Sequence, residues 1–180
     1  GTGSLVLDRV HRVAYTCLSP RTTLEALGDF AERLDYDVVT FDAVDRDGTP
    51  VYHTNVLMNV GEETAVICAE AIPDNDQRTA VLARLCSTGH EVIEITMEQV
   101  NAFAGNMLEL RAASGNRVIA MSNQARNSLN NDQLAVLERV ATIVSAPIEH
   151  IESSAGGSVR CMLAEIHLPR ETTASAATTT

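Results

Sequence analysis

The segment HTNVLMNV, residues 53–60, opens with a histidine and an asparagine and continues as an apolar run. Similar segments begin at residue 3 (GSLVLD), residue 105 (GNMLELR) and residue 157 (GSVRCMLAEIHL), so a strand-like run recurs about every fifty residues. A period of this length indicates repeated supersecondary units, in which each unit covers the apolar faces of its neighbours.

Each of the first three repeats continues with a second apolar run, a helical pattern and a third strand. The second runs are VAYTCL, AVICAE and VIAMSN, and the third strands are YDVVTFD, HEVIEIT and APIEHIE. Between them, apolar residues recur at the helical period of about 3.6 behind capping residues. The predicted caps are Thr22/Thr23, Asp74/Asn75 and Asn130/Asn131.

We therefore predict an α/β fold made of strand-strand-helix-strand units near residues 1–50, 51–103 and 104–155. A closing strand is expected at residues 156–168, and the low-complexity residues 169–180 are expected to be disordered. The alternative is an ordinary α/β sandwich in which the spacing arises by chance.

The composition excludes several classes of protein. The formal net charge of −11 argues against nucleic acids and anionic membranes as partners, and no apolar stretch approaches the roughly 20 residues that a membrane helix needs. The four cysteines lack the paired spacing of zinc or redox motifs, so we expect no metal, no cofactor and a reducing, cytoplasmic environment.

His53 is the first candidate for a functional residue. In a strand, His53, Asn55, Leu57 and Asn59 would share one face, and the other repeats carry glycine where His53 stands. If the units surround an axis, the strand starts line its centre and His53 points into the central cavity. The other histidines are expected at the surface or at strand edges: His11, His90, His150 and His167.

Cys161 is the second candidate, because it follows a flexible loop rather than lying within an apolar run. Gly156 and Gly157 allow close approach of a substrate, and Arg160 would bind a carboxylate or favour the thiolate. A cysteine and a histidine together can perform nucleophilic catalysis, although spacing alone does not pair Cys161 with His53. The remaining cysteines are predicted to be small buried core residues: Cys17, Cys68 and Cys86.

Four segments, GTGSLVLD, YHTNVLMN, FAGNMLEL and GGSVRCMLAEI, resemble in this order the amidinotransferase and arginine deiminase superfamily, in particular its citrulline-utilisation-type branch. The resemblance covers residues 1–168. It implies an α/β propeller of five strand-strand-helix-strand units, the pentein fold, around a central channel. At about fifty residues per unit, the chain is expected to hold the C-terminal three of the five.

The resemblance also implies a chemistry for the candidate residues. Cys161 would attack a guanidinium carbon, and His53 would act as general acid and base. Asn55 stands where many relatives carry aspartate, so it can accept a hydrogen bond from a guanidinium without neutralising it. Arg160 stands where many deiminases carry histidine and suits a substrate carboxylate, and Gly157 and Ser158 complete the expected substrate-binding set.

The expected function is a hydrolase, deiminase or amidinotransferase that acts on arginine or a related guanidino compound. The family's acidic residues would fall before Gly1, so the chain alone is expected to be inactive. The alternatives are a non-catalytic binding or regulatory protein of the same fold and a cysteine hydrolase that cleaves amide bonds. An unclosed ring would expose strand edges, which favours a homo-oligomer.

Overall fold

The structure is a computed structural model that describes residues 3–165. Within these residues, nine strands form three separate three-stranded sheets. In every sheet the first strand is antiparallel to the second, and the second is parallel to the third. The predicted α/β class and the three-sheet repeat are therefore confirmed, whereas the arrangement of the units as a propeller stays a prediction.

The elements follow the order of the repeats. The strands are β1 (Val6–Asp8), β2 (Val13–Cys17), β3 (Asp37–Phe41), β4 (Met58–Val60), β5 (Thr64–Ile67), β6 (Glu91–Glu94), β7 (Leu108–Arg111), β8 (Arg117–Ser122) and β9 (Thr142–Ala146). The α-helices are α1 (Leu24–Leu34), α2 (Asn75–Ser87), α3 (Met97–Asn101), α4 (Asn123–Ser128), α5 (Asn131–Val140) and α6 (Glu149–Ala155). Each predicted unit range holds one of the sheets.

The long helices α1, α2 and α5 connect the second and third strands of each sheet, as parallel strands require a crossover. Each begins at a predicted cap, because the side chains of Thr23, Asp74 and Asn130 accept a backbone N–H three residues ahead. The core lies between these helices and the sheets. All residues of the central strands β2 and β5 are buried, so these two strands are covered on both faces.

The third strand of the last unit was predicted at residues 146–152, and this prediction is wrong. Strand β9 lies earlier, at Thr142–Ala146, and α6 occupies Glu149–Ala155. Pro147 explains the early end of β9, because proline cannot donate a hydrogen bond to a ladder.

The first strands also start later than predicted. A 3₁₀ turn at Thr54–Val56 precedes β4, so the strict alternation expected for residues 53–60 does not hold. A second 3₁₀ turn at Val159–Met162 replaces the predicted closing strand up to residue 165. Residues 166–168 of that strand and the predicted disordered tail, residues 169–180, lie outside the described residues.

Neighbouring units are linked by equivalent side chains. Arg84, near the end of α2, pairs with Asp37 at the start of β3, and Arg139 of α5 pairs in the same way with Glu91 at the start of β6. At the start of α5, Gln133 donates to the Glu94 carbonyl oxygen at 2.7 Å. Helices α2 and α5 therefore each contact the third strand of the unit before them. None of the helices between residues 3 and 165 is long and apolar enough to span a bilayer.

Candidate active site

Three glycines at the starts of the repeats surround one location. A Cβ atom on Gly3 would lie 2.9 Å from the His53 ring and from Asn55 Oδ1. A Cβ on Gly105 would clash with the Val56 carbonyl oxygen, and one on Gly157 would lie 3.4 Å from Cys161 Sγ. The absence of side chains at these positions therefore lets the segments carrying His53, Asn55 and Cys161 approach one another closely.

The 3₁₀ turn at Thr54–Val56 orients His53 and Asn55. Thr54 is fully buried; its Oγ1 donates to the Ser4 carbonyl oxygen at 2.7 Å and accepts the Cys17 N–H at 2.9 Å. The Asn55 N–H donates to the Gly3 carbonyl oxygen. These bonds fix the turn against the first unit, so the side chains on either side of Thr54 have a defined direction.

The Cys161 thiol lies at the surface, where two carboxamides reach it. Asn106 Nδ2 lies 3.3 Å from Cys161 Sγ, and Asn55 Nδ2 lies 3.8 Å from the same sulfur. Cys161 is exposed and free, and its backbone N–H donates to the Ser158 carbonyl oxygen within the second 3₁₀ turn. Because N–H donors stabilise a thiolate, this arrangement suits a nucleophilic sulfur.

Asn106 is a site residue that the sequence analysis missed. It is buried, its Nδ2 also donates to the Asn55 carbonyl oxygen at 2.9 Å, and its own carbonyl oxygen accepts the Arg160 N–H at 3.4 Å. The signal that could have revealed it lies in the repeat. The residue after each repeat start is polar, and all four are buried: Ser4, Thr54, Asn106 and Ser158.

Two carboxamide oxygens at the site have no partner among the described residues. Asn55 Oδ1 and Asn106 Oδ1 are both buried without a hydrogen bond. Leaving a buried acceptor unsatisfied costs about 1–3 kcal/mol, so these atoms are suited to a ligand that donates N–H groups. Beside a nucleophilic sulfur, such a ligand would be held with its electrophilic atom near the thiol.

His53 is half-buried and rests on Tyr52, with 4.5 Å between the ring centroids. Partial burial, followed by the charge of Arg21, lowers the pKa of His53 below its usual value. The imidazole is therefore mainly neutral near pH 7, which allows it to accept a proton and return it.

Among the other predicted substrate-binding residues, Gly157 adjoins Cys161, whereas the side chains of Arg160 and Ser158 occupy different surroundings. The Arg160 guanidinium donates to the Met58 carbonyl oxygen at 3.3 Å and lines a cavity of about 690 Å³ along β1, β4 and β7, to which Cys161, His53 and Asn55 do not contribute. Burial lowers the pKa of Arg160. Ser158 is fully buried and donates to Glu152 Oε1 at 2.6 Å. The binding roles of Arg160, Gly157 and Ser158 stay predictions.

Two predictions about the remaining cysteines and histidines are wrong. Cys86 is exposed near the end of α2, whereas Cys17 and Cys68 are buried as expected. His90 is buried, with only 5% exposure, because it follows the tight turn after α2 and its ring lies under β1. His167 lies outside the described residues.

Comparison with known proteins assigns the chain to a family. Residues 1–168 match the family model described as N,N dimethylarginine dimethylhydrolase, eukaryotic. A search of curated proteins found no match. The family match confirms the predicted membership of the amidinotransferase and arginine deiminase superfamily.

Solved structures share the fold. Apo ArgZ, an arginine dihydrolase from the ornithine-ammonia cycle in cyanobacteria, matches with a TM-score of 0.70 at 18% identity over 90% of this chain and 24% of its own. The N-terminal domain of an ArgZ variant covalently bound to a reaction intermediate gives 0.68 at 20% identity, over 90% and 54% of the chains. Agmatine deiminase from C. jejuni gives 0.51 at 12% identity, over 88% and 53%.

This chain thus spans at most 54% of the length of these structures. The likeness at these identities concerns the fold, whereas the family model covers almost the whole chain. On that match, the chain belongs to the N,N-dimethylarginine dimethylhydrolase family.

Proposed function

We propose that the chain carries the nucleophile and the general acid/base of a hydrolase that acts on guanidino compounds such as arginine and its N-methylated derivatives. The observation that carries the proposal is the exposed Cys161 thiol, held by Asn106 and Asn55 beside two unpartnered carboxamide oxygens. Family membership and the arginine dihydrolase and agmatine deiminase folds support it.

The reaction proceeds in two balanced steps. His53 takes the proton of the Cys161 thiol, and the resulting thiolate attacks the guanidinium carbon to form a C–S bond; the C–N bond to the leaving amine then breaks as His53 gives that proton to the leaving nitrogen. Water next attacks the amidino-thioether, gives a proton back to His53 and displaces the thiolate. Arginine and water would yield citrulline and ammonia, and dimethylarginine and water would yield citrulline and dimethylamine.

The two carboxamides give the site its selectivity. Asn55 Oδ1 and Asn106 Oδ1 accept N–H groups of the guanidinium, while the same two residues donate to the sulfur through Nδ2. The negative charge opposite the substrate is then the thiolate itself, and thiolate and guanidinium stabilise each other. A neutral clamp of this kind replaces the carboxylate expected two residues after the histidine.

The exposure of Cys161 favours hydrolysis over transfer. Water reaches an exposed thioether freely, whereas an amidinotransferase must keep water away while a second amine binds. The assignment of the chain to the citrulline-utilisation-type branch stays a prediction. The choice of arginine as the substrate, rather than another guanidine, also stays a prediction.

A pair of alkylating reagents tests the binding part of the proposal. Chloroacetamidine is cationic and chloroacetamide is neutral, but the two have nearly the same shape. The compared quantity is the alkylation rate with chloroacetamidine divided by the rate with chloroacetamide. We expect this ratio to be at least about tenfold higher at Cys161 than in free cysteine, which is the effect of one or two hydrogen bonds. Millimolar arginine should protect the thiol. Equal preference at Cys161 and in free cysteine, without protection, would overturn the proposal.

Variants locate the origin of that preference. Asn106→Ala should lower the preference for the amidine, and Asn127→Ala, at an exposed position of α4, should leave it unchanged. Turnover is then measured as citrulline formed from arginine and from dimethylarginine, with Cys161→Ser as the inactive control. Because the chain alone is expected to be inactive, turnover decides between the functions only in a protein that holds all five expected units. A five-unit protein that prefers the amidine but forms no citrulline would favour the non-catalytic binding function.

A further inference from the structure

We propose that Asp8, His11 and His90 form a binding site for a divalent first-row transition metal such as zinc, at the opposite end of β1 from Cys161. Asp8 Oδ2 lies 2.8 Å from His11 Nδ1 and 3.8 Å from His90 Nε2, and the three atoms all lie within 4.8 Å of one another. Ligand atoms about 2.0–2.1 Å from a tetrahedral zinc are about 3.3 Å apart, so this spacing requires only small side-chain shifts.

The three side chains differ in burial in a way that suits metal entry. Asp8 and His90 are each 1% exposed at the side chain, whereas His11 is 38% exposed. Two ligands would thus hold the ion from inside, and the third would close over it from the surface. Water would occupy the remaining coordination positions of the ion, on its solvent-facing side.

A second layer of hydrogen bonds already orients the ligand atoms. Asp8 Oδ1 accepts the N–H groups of Val10 and His11, which leaves Oδ2 for the ion. Thr88 Oγ1 lies 2.9 Å from the Leu85 carbonyl oxygen and 2.9 Å from His90 Nδ1; with an ion on Nε2, the Nδ1–H would donate to this hydroxyl oxygen. Ligating histidines typically donate their second ring N–H in this manner.

His90 Nε2 faces two acceptor oxygens, so without an ion it carries the ring proton, and metal binding would exchange that proton for the ion. Nε2 lies 3.2 Å from the Gly61 carbonyl oxygen and 3.8 Å from Asp8 Oδ2. Imidazole with carboxylate favours zinc, nickel or cobalt over magnesium. The expectation of no metal rested on the spacing of the cysteines, which has no bearing on this cluster.

Cobalt(II) absorption and zinc calorimetry test the site. The background protein is Cys161→Ser with His167→Ala, which removes candidate ligands elsewhere. We expect one bound ion, visible cobalt bands without a sulfur-to-cobalt charge-transfer band, displacement by zinc and no competition from magnesium. Failure to bind cobalt or zinc would overturn the proposal, and so would a sulfur-to-cobalt band, which would place the ion on Cys86.

Two substitutions distinguish the cluster from adventitious binding. His11→Ala removes an exposed ligand, and Thr88→Val removes only the acceptor that orients His90; each should weaken zinc binding by about 10–100-fold. His150→Ala, on exposed α6, should bind as the background does. Circular dichroism shows that each variant is folded. Unchanged binding in folded His11→Ala and Thr88→Val would overturn the proposal.

Discussion

Asn106 joins the three segments that make up the candidate active site. Its Nδ2 donates both to the Asn55 carbonyl oxygen and to Cys161 Sγ, and its carbonyl oxygen accepts the Arg160 N–H. Each such bond contributes about 0.5–1.5 kcal/mol, and together they hold the sulfur beside Asn55. The reactivity of the thiol therefore depends on a residue that carries no charge.

The four cysteines should differ in their reaction with iodoacetamide near neutral pH. Burial raises the pKa of Cys17 and raises that of Cys68 to about 11, so these two thiols should react only on unfolding. Cys161 and Cys86 are both exposed, and Cys161 should react faster because carboxamide donors stabilise its thiolate.

Peptide mass mapping after brief labelling measures the order of reaction, with the denatured protein as the control in which all four thiols react. Labelling of Cys86 at the same rate as Cys161 would contradict a special environment at Cys161.

The sequence analysis found some of these residues and missed others for a physical reason. Cys161 and His53 stand out because each has an unusual neighbourhood: a glycine loop for the thiol and a glycine position taken by an imidazole. The surroundings of Asn106 and His90 depend on their burial and on contacts with residues distant in sequence. A local sequence pattern does not contain this information. Asn106 could have been found only by comparing equivalent positions across the repeats.

Among the elements, the 3₁₀ turn at Thr54–Val56 depends on one hydroxyl. Thr54→Val keeps the shape of the side chain but removes the acceptor of the Cys17 N–H and leaves the Ser4 carbonyl oxygen with only the Thr16 hydroxyl as a donor. We expect the free energy of unfolding to fall by about 1–3 kcal/mol. Urea unfolding measures it.

Thr79→Val is the matched control, because Thr79 is exposed on α2 and its hydroxyl bonds only within the helix. An equal loss of stability in the two variants would show that the turn does not depend on the Thr54 hydroxyl.

Element prediction succeeded where local chemistry decides the structure. The caps Thr23, Asp74 and Asn130 fix the helix starts within the chain itself, so their pattern was sufficient. The segments at residues 53–56 and 157–162 lead into apolar runs that predict strands, but both form 3₁₀ turns that are bonded to other units, through the Thr54 hydroxyl and the Arg160 backbone N–H. Such contacts are not visible in a local window of sequence.

For the molecule as a whole, Glu109 in the cavity along β1, β4 and β7 links stability to pH. Burial raises the pKa of Glu109 above its unfolded value, so the folded protein holds this proton more tightly. The contribution of the protonated Glu109 side chain to stability is complete below the pKa that this group has in the unfolded protein. It is lost as the pH rises through the pKa that the group has in the folded protein. Glu109→Gln, which has no charge to bury, should therefore gain stability relative to the unaltered protein as the pH rises.

Urea unfolding at several pH values from about 4 to about 7 gives the difference in unfolding free energy between the two proteins. Glu138→Gln, at an exposed position of α5, is the control and should show no such trend. A difference for Glu109→Gln that is independent of pH would contradict the prediction.

Exposed apolar side chains on α1 and β9 should favour self-association. Helix α2 packs on β3 of the preceding unit, whereas α1 and β9 expose apolar side chains: Leu24 is 65% exposed, Leu34 50% and Val144 52%. Packing α1 of one copy on β9 of another would repeat the internal contact head to tail. We expect concentration-dependent association in sedimentation velocity, weakened by Leu24→Glu or Val144→Glu.

Val10→Glu is the control for that experiment, because Val10 is 69% exposed but lies in the turn between β1 and β2. A monomer at all concentrations would contradict head-to-tail association, and an equal effect of Val10→Glu would place the contact elsewhere.

The shared duties of Asn106 restrict how this molecule can evolve. Exposed pairs such as Arg84–Asp37 contribute about 0–1 kcal/mol, so either partner can drift to another residue and the fold survives. At position 106, aspartate would lose the N–H donors and set a second negative charge beside the thiolate, and alanine would remove the donor to the Asn55 carbonyl oxygen and to Cys161 Sγ. The outer surfaces of the units can therefore change gradually, whereas aspartate or alanine at position 106 would remove the donor to Cys161 Sγ in a single step.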